Sequence, residues 1–156
     1  MMLHAWTGYV DYAWGMDELK PVSNTGRVWM GTGIAATVID SLDTLYIMGL
    51  KDEYQVARDY VDTKLTFDKS GYISFFETVI RGLGGLLAAY GLTKDPMYID
   101  KARDLGDRLL YAFDSPSGLP FGMVDLKGYS LLLTLFFFFT PDPDPDPDPH
   151  FAATMQ

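Results

Sequence analysis

An all-α fold built of helical hairpins is what this 156-residue sequence predicts, on three observations. Apolar residues recur every three or four positions through most of the chain before Phe113, helix-start signals precede such a run, and the links between runs are short.

In chain order, Val38, Leu42, Leu45 and Gly49 place a stripe along a helix from about 33 to 49. Tyr54, Ala57, Val61 and Leu65 line a second helix from about 52 to 65. A brief strand is expected at Tyr72 to Ser74. The clearest period follows it, with Phe76, Val79, Ile80, Leu83, Leu86, Leu87 and Tyr90 spaced so that one face of a helix is buried. Asp95 as N-cap and Pro96 at the first helical position open a further helix, whose apolar side is Ile99, Ala102, Leu105, Leu109 and Phe113. Gly118 and Pro120 mark the turn after it. Gly84, Gly85, Ala88 and Ala89 put small residues on more than one side of the third helix, so close neighbours are expected on both sides, as in a layered or closed array.

Composition narrows the function. With 48% hydrophobic and 15% aromatic residues the chain has enough apolar material for a core. Its net charge is −9, but Asp142, Asp144, Asp146 and Asp148 sit in one biased stretch, and residues 1–128 carry 17 acidic against 12 basic side chains. No clustered Lys/Arg stripe suits phosphates, so nucleic acid is not an expected partner. The absence of cysteine excludes disulfides, thiolate metal sites and a cysteine nucleophile. No targeting signal precedes the first patterned segment, and the longest apolar run, Leu135 to Phe139, is far short of the roughly 20 residues that span a bilayer. The pattern breaks near Gly128: residues 129–140 are mostly Leu, Phe and Thr, and 141–149 alternate Pro with Asp. Alternating prolines remove every second backbone donor, so 129–156 is expected to be a low-complexity tail, disordered or an artefact of the gene model, beside a helically patterned 1–128.

Two pairs of charged residues are candidates for chemistry. Glu77 and Arg81 are four apart on one helix, a spacing that also fits an intrahelical ion pair; Ser74 and Glu77 likewise fit a capping box. Asp40 and Asp43 share one side of an otherwise apolar helix and would repel unless a cation, water or hydroxyls intervene. His4 and His150 offer no metal-ligand spacing. Trp6, Tyr9, Tyr12, Trp14 and Trp29 could stack on sugar rings or form a packed helix end. Gly82, Gly84 and Gly85 lack the preceding strand that a phosphate loop requires.

Four blocks in order, HAWTGYVDYAWGMDELKPVS (4–23), IDSLDTLYIMGLKDEY (39–54), FFETVIRGLGGLLAAYGL (75–92) and KARDLGDRLLYAFDSPSGLP (101–120), resemble class I α-1,2-mannosidases, glycoside hydrolase family 47. The resemblance implies the opening hairpins of an (αα)7 barrel, with faces that in the family pack on further hairpins. It implies an inverting hydrolase that trims α-1,2-linked mannose from high-mannose N-glycans, with Glu77 as general acid, Arg81 contacting sugar and Asp40 at the substrate pocket. The family's base and a further catalytic aspartate belong to segments beyond Gly128, and its single Ca²⁺ is held near a threonine close to the C-terminus; no block here matches either. The resemblance therefore supplies no metal ligands in this sequence and predicts a polypeptide inactive by itself. It also implies the endoplasmic reticulum and Golgi, commonly through an N-terminal membrane helix, or secretion in fungi. An alternative is a non-catalytic glycan-binding or regulatory helical module.

Overall fold

The computed structural model describes residues 1–28 and 31–128. Trp29 and the expected tail at 129–156 lie outside the described residues.

The chain opens with helix α1 (Met2–Ala13), which buries Trp6, Tyr9 and Ala13. Its end is closed by a side chain: the Tyr9 hydroxyl donates to the Met16 carbonyl at 2.7 Å and accepts from the Gly15 amide at 3.2 Å. Burial raises the Tyr9 phenol well above its ordinary range, so it stays a donor. A short antiparallel ribbon follows, β1 (Glu18–Lys20) against β2 (Thr25–Arg27), with Leu19 opposite Gly26.

Helices α2 (Ala36–Ile47) and α3 (Lys51–Thr63) form the first hairpin. The turn between them is sharp because Gly49 takes a left-handed φ of 70°. That conformation lets the Gly49 amide reach the Tyr46 carbonyl and the Leu50 amide the Leu45 carbonyl, which satisfies two of the carbonyls a helix end leaves open. Val38, Leu42 and Leu45 are fully buried as their spacing predicts, whereas Gly49 is exposed at the turn.

The predicted strand is present as β3 (Tyr72–Ser74), and its partner is β4 (Met123–Asp125), paired Ser74 to Met123. From β3 the chain runs into a continuous helical rod: one turn, α4 (Phe75–Glu77), then a π-helical stretch (Thr78–Leu83), then α5 (Gly84–Thr93). Asp95 caps α6 (Pro96–Leu109), its carboxylate accepting from the Met97 amide at 3.1 Å, with Pro96 in the first turn. The same carboxylate takes the Arg58 Nε at 2.8 Å, a hydrogen bond that raises the Arg58 guanidinium's affinity for its proton and ties α3 to α6. A 3₁₀ turn (Leu110–Phe113) completes that hairpin. Helix α2 packs on both α3 and α5, and α5 packs on α6.

The rod is where the structure departs from the predicted pattern. Thr78, Gly82, Leu86 and Ala89 are its buried positions, whereas Phe76, Ile80 and Leu87, assigned to the core by spacing, are 60%, 50% and 43% exposed. The contacts give the physical reason: the rod turns its small residues inward, Gly82 toward Ile34 and Leu105 and Gly85 toward Ile39, so these larger apolar residues of the predicted stripe lie away from the core. Phe113 is also exposed, with its ring edge-on to Phe75 at 5.5 Å between centroids. Small residues do mark close approach: a methyl group on Gly85 would lie 2.6 Å from Ile39 Cγ2, and one on Gly82 would crowd both Ile34 and Leu105.

Asp125 locks the second ribbon. Its carboxylate accepts from the Gly71 amide, the Ser70 hydroxyl and the Lys127 amide at 2.9, 3.1 and 2.8 Å. Burial alone would push this carboxyl up, but the Lys127 and Gly71 amides and the Ser70 hydroxyl outweigh it and hold it below the usual carboxylate range. A carboxyl lowered on folding stabilises the native state above its unfolded value of about 4, and that contribution disappears as pH falls through the lower folded value. Urea unfolding of the chain and of Asp125→Asn should therefore differ at neutral pH, and the gap should close on acidification below about pH 4.

Candidate active site

The site grows from two helices that touch. Asp40 lies near the start of α2, and Arg81 in the π-helical stretch of the rod packed against it. Arg81 donates from both Nε (2.7 Å) and Nη2 (2.6 Å) to the same oxygen of Asp40, Oδ2. Each side chain is roughly a third exposed, so screening by water limits the pair's contribution to stability. The intrahelical pair that the spacing suggests for Arg81 is thus replaced by one that crosses between helices.

Glu77 ends α4, one turn before Arg81. Ser74 caps this start, its hydroxyl accepting from the Glu77 amide at 3.3 Å, so half of the predicted capping box is formed. Thr78, fully buried, turns its hydroxyl back to the Ser74 carbonyl at 2.7 Å. These bonds fix the backbone on both sides of Glu77 and use none of its carboxyl oxygens. The arrangement therefore offers one half-buried carboxyl, an anchored guanidinium and a carboxylate on neighbouring elements. Chemically this can bind hydroxyl groups and move a proton.

The other candidates separate. Asp43 accepts from the Thr44 hydroxyl at 3.2 Å on an exposed flank. His4 is exposed on α1, and His150 lies outside the described residues. The aromatic set is a packed helix end: Trp6 and Tyr9 are buried, Trp14 meets Trp6 and Tyr60 edge-on at 5.8 and 5.1 Å, and Tyr12 points away, half exposed. Among the described residues no group of three or more His, Asp or Glu side chains comes together to hold a metal ion.

Spacing missed Asp17. It is fully buried, and its carboxylate accepts from the Ile34 and Ala36 amides at the start of the helix that carries Asp40. An acid next to Glu18 at the start of a charged ribbon gives no periodic signal for such a long-range cap.

The sequence model of glycosyl hydrolase family 47 matches residues 1–131. Among curated proteins, the chain is 51% identical over 126 residues to the mannosyl-oligosaccharide 1,2-alpha-mannosidase MNS1 of Arabidopsis thaliana, covering 81% of this chain and 22% of that one. It is 48% identical to the endoplasmic reticulum mannosyl-oligosaccharide 1,2-alpha-mannosidase of Homo sapiens, covering 81% and 18%. The fold is similar to that of the alpha-1,2-mannosidase from Trichoderma reesei, with a TM-score of 0.72 at 33% identity over 78% of this chain and 28% of the other. The chain thus spans about a fifth of the length of these curated relatives. On the match over most of its length, in sequence and in helical architecture, the chain belongs to glycosyl hydrolase family 47.

Proposed function

We propose that residues 1–128 supply the proton-donor side of an inverting α-1,2-mannosidase acting on high-mannose N-glycans. The observation that carries this reading is the anchored Arg81–Asp40 pair one helical turn from Glu77, whose carboxyl is left free of the capping bonds around it. In the proposed reaction Glu77 protonates the departing glycosidic oxygen while Arg81 and Asp40 hold sugar hydroxyls. Inversion needs a second carboxylate on the opposite face of the ring, about 6.5–9.5 Å away, to activate water. No block of this sequence matches that base, and the 156-residue polypeptide by itself is expected to release no mannose. Calcium, a hard ion suited to sugar hydroxyls, would act in the assembled site without ligands from the described residues. A secretory-pathway location is supported by the endoplasmic reticulum in the names of relatives from Rattus norvegicus and Homo sapiens. The segment after Gly128 is proposed to stand outside the catalytic unit.

A chimera tests the reading. Residues 1–128 replace the matching segment of the Arabidopsis thaliana relative, and the protein is incubated with a Man9 N-glycan and Ca²⁺. Released mannose is the expected result. A folded chimera that binds the glycan saturably and never turns it over would instead favour a glycan-binding module.

A further inference from the structure

We infer that Asp17 is a positioning residue for the sugar-binding pair: it sets the first turn of α2, and through it the carboxylate of Asp40 that anchors Arg81. The inference rests on the proposed function for its catalytic consequence, and on geometry for the clamp itself.

The approach to α2 is strained. Gly31, Gly33 and Ala35 all have left-handed φ, at 64°, 73° and 55°, alternating with residues that do not. For Ala35 this conformation is unfavourable, and a non-glycine residue stays there only where its surroundings hold it. Alternation of this kind turns successive backbone N–H groups toward one point and makes a cradle for an anion. Asp17 fills it. Its Oδ1 accepts from Ile34 N at 2.8 Å and from Ala36 N at 3.2 Å, and its Oδ2 lies against Gly33.

The backbone of Asp17 completes the clamp. Its carbonyl accepts both the amide (3.1 Å) and the hydroxyl (2.6 Å) of Thr37, and its own amide donates to the Arg27 carbonyl at 3.0 Å. The opening amides of α2 are therefore satisfied by a residue far away in sequence, seated on the β1–β2 ribbon. A negative charge there also suits the positive end of the helix. Asp40 sits one turn further along α2. Since Arg81 engages a single Asp40 oxygen, a small rotation of that turn moves the anchor relative to the guanidinium.

Two measurements test this. In the full chain, hydrogen exchange is followed at residues 34–40 and at α6 for Asp17→Ala and Asp17→Asn. Asp17→Ala should speed exchange at 34–40 by about tenfold or more while α6 is unchanged. If Asp17→Ala loosens α6 as well, Asp17→Asn, which keeps the acceptor oxygen, decides: exchange at 34–40 restored most of the way to that of the unaltered chain supports the clamp, and exchange there as fast as in Asp17→Ala overturns it. This readout needs no mannosidase activity, so it stands or falls apart from the proposed reaction. In the chimera, Asp17→Ala should lower kcat/KM about tenfold when Asp40 is present and less than about twofold in an Asp40→Asn background. Equal losses in both backgrounds would mean a general structural role and overturn the positioning assignment.

Discussion

Replacing Glu77 by Gln in the chimera is expected to reduce mannose release from the Man9 glycan by about 10²–10⁴-fold, the range a positioned proton donor contributes. The substitution is close to isosteric, and the Ser74 cap uses the backbone amide of residue 77 rather than its side chain, so the helix start survives the change. Glycan affinity should stay within a few-fold, because Arg81 and Asp40 keep their contact. The loss should then fall on kcat. A second substrate sharpens the result: a mannoside with an aryl leaving group that departs without protonation should be hydrolysed with a much smaller deficit. An equal deficit on both substrates, or undiminished release from the glycan, would remove Glu77 from the role of acid.

The second large effect concerns packing. Gly85→Ala and Gly91→Ala place the same methyl group on the same helix, yet opposite outcomes are expected. At Gly91 nothing lies within 4 Å of the added carbon, so the better helix propensity of alanine should stabilise by up to about 1 kcal/mol. At Gly85 the methyl would stand 2.6 Å from Ile39 Cγ2 and 3.3 Å from the Ile39 carbonyl oxygen, where α5 crosses α2. Neither atom is the far end of a flexible chain, so the helices must separate. Overpacking of this kind costs about 1–3 kcal/mol, which outweighs the propensity gain. Ile39 precedes Asp40, and the same push moves the anchor of Arg81. Thermal melting of the two variants in the chimera measures the first effect, and a higher KM for the Gly85 variant alone measures the second.

How much of this was legible in the sequence depends on the range of the interaction. The α2–α3 hairpin and the start of α6 were readable because their signals are local: Val38, Leu42 and Leu45 at helical spacing, and Asp95 followed by Pro96. Glu77, Arg81 and Asp40 stand out as charged candidates by spacing, but their roles are implied only by their blocks; spacing offers Glu77 as the partner of Arg81, and tertiary packing supplies Asp40. The exposed Phe76 and Ile80 escaped the reading because periodicity favours the bulkier apolar stripe, whereas the rod packs on its neighbours through Gly82 and Gly85. The β1–β2 ribbon and the β4 partner of the predicted Tyr72–Ser74 strand escaped it for lack of length: strands of three residues are too short to alternate, and β4 finds its partner across two helices. Asp17 shows the same limit most plainly, since the amides it satisfies belong to residues 34 and 36.

The pairing of Ser74 with Met123 has a consequence for synthesis. The segment that begins the acid-bearing helix is paired with a strand translated only after the whole α5–α6 hairpin. Helices can wind as they leave the ribosome, since their contacts are local, whereas a ribbon joining such distant segments must wait for its later half. Glu77 thus emerges early but reaches its final setting late, once Met123 has emerged and Gly122 can accept the Phe75 amide. A nascent chain stalled before that point would carry its helices with the Glu77 segment still unseated.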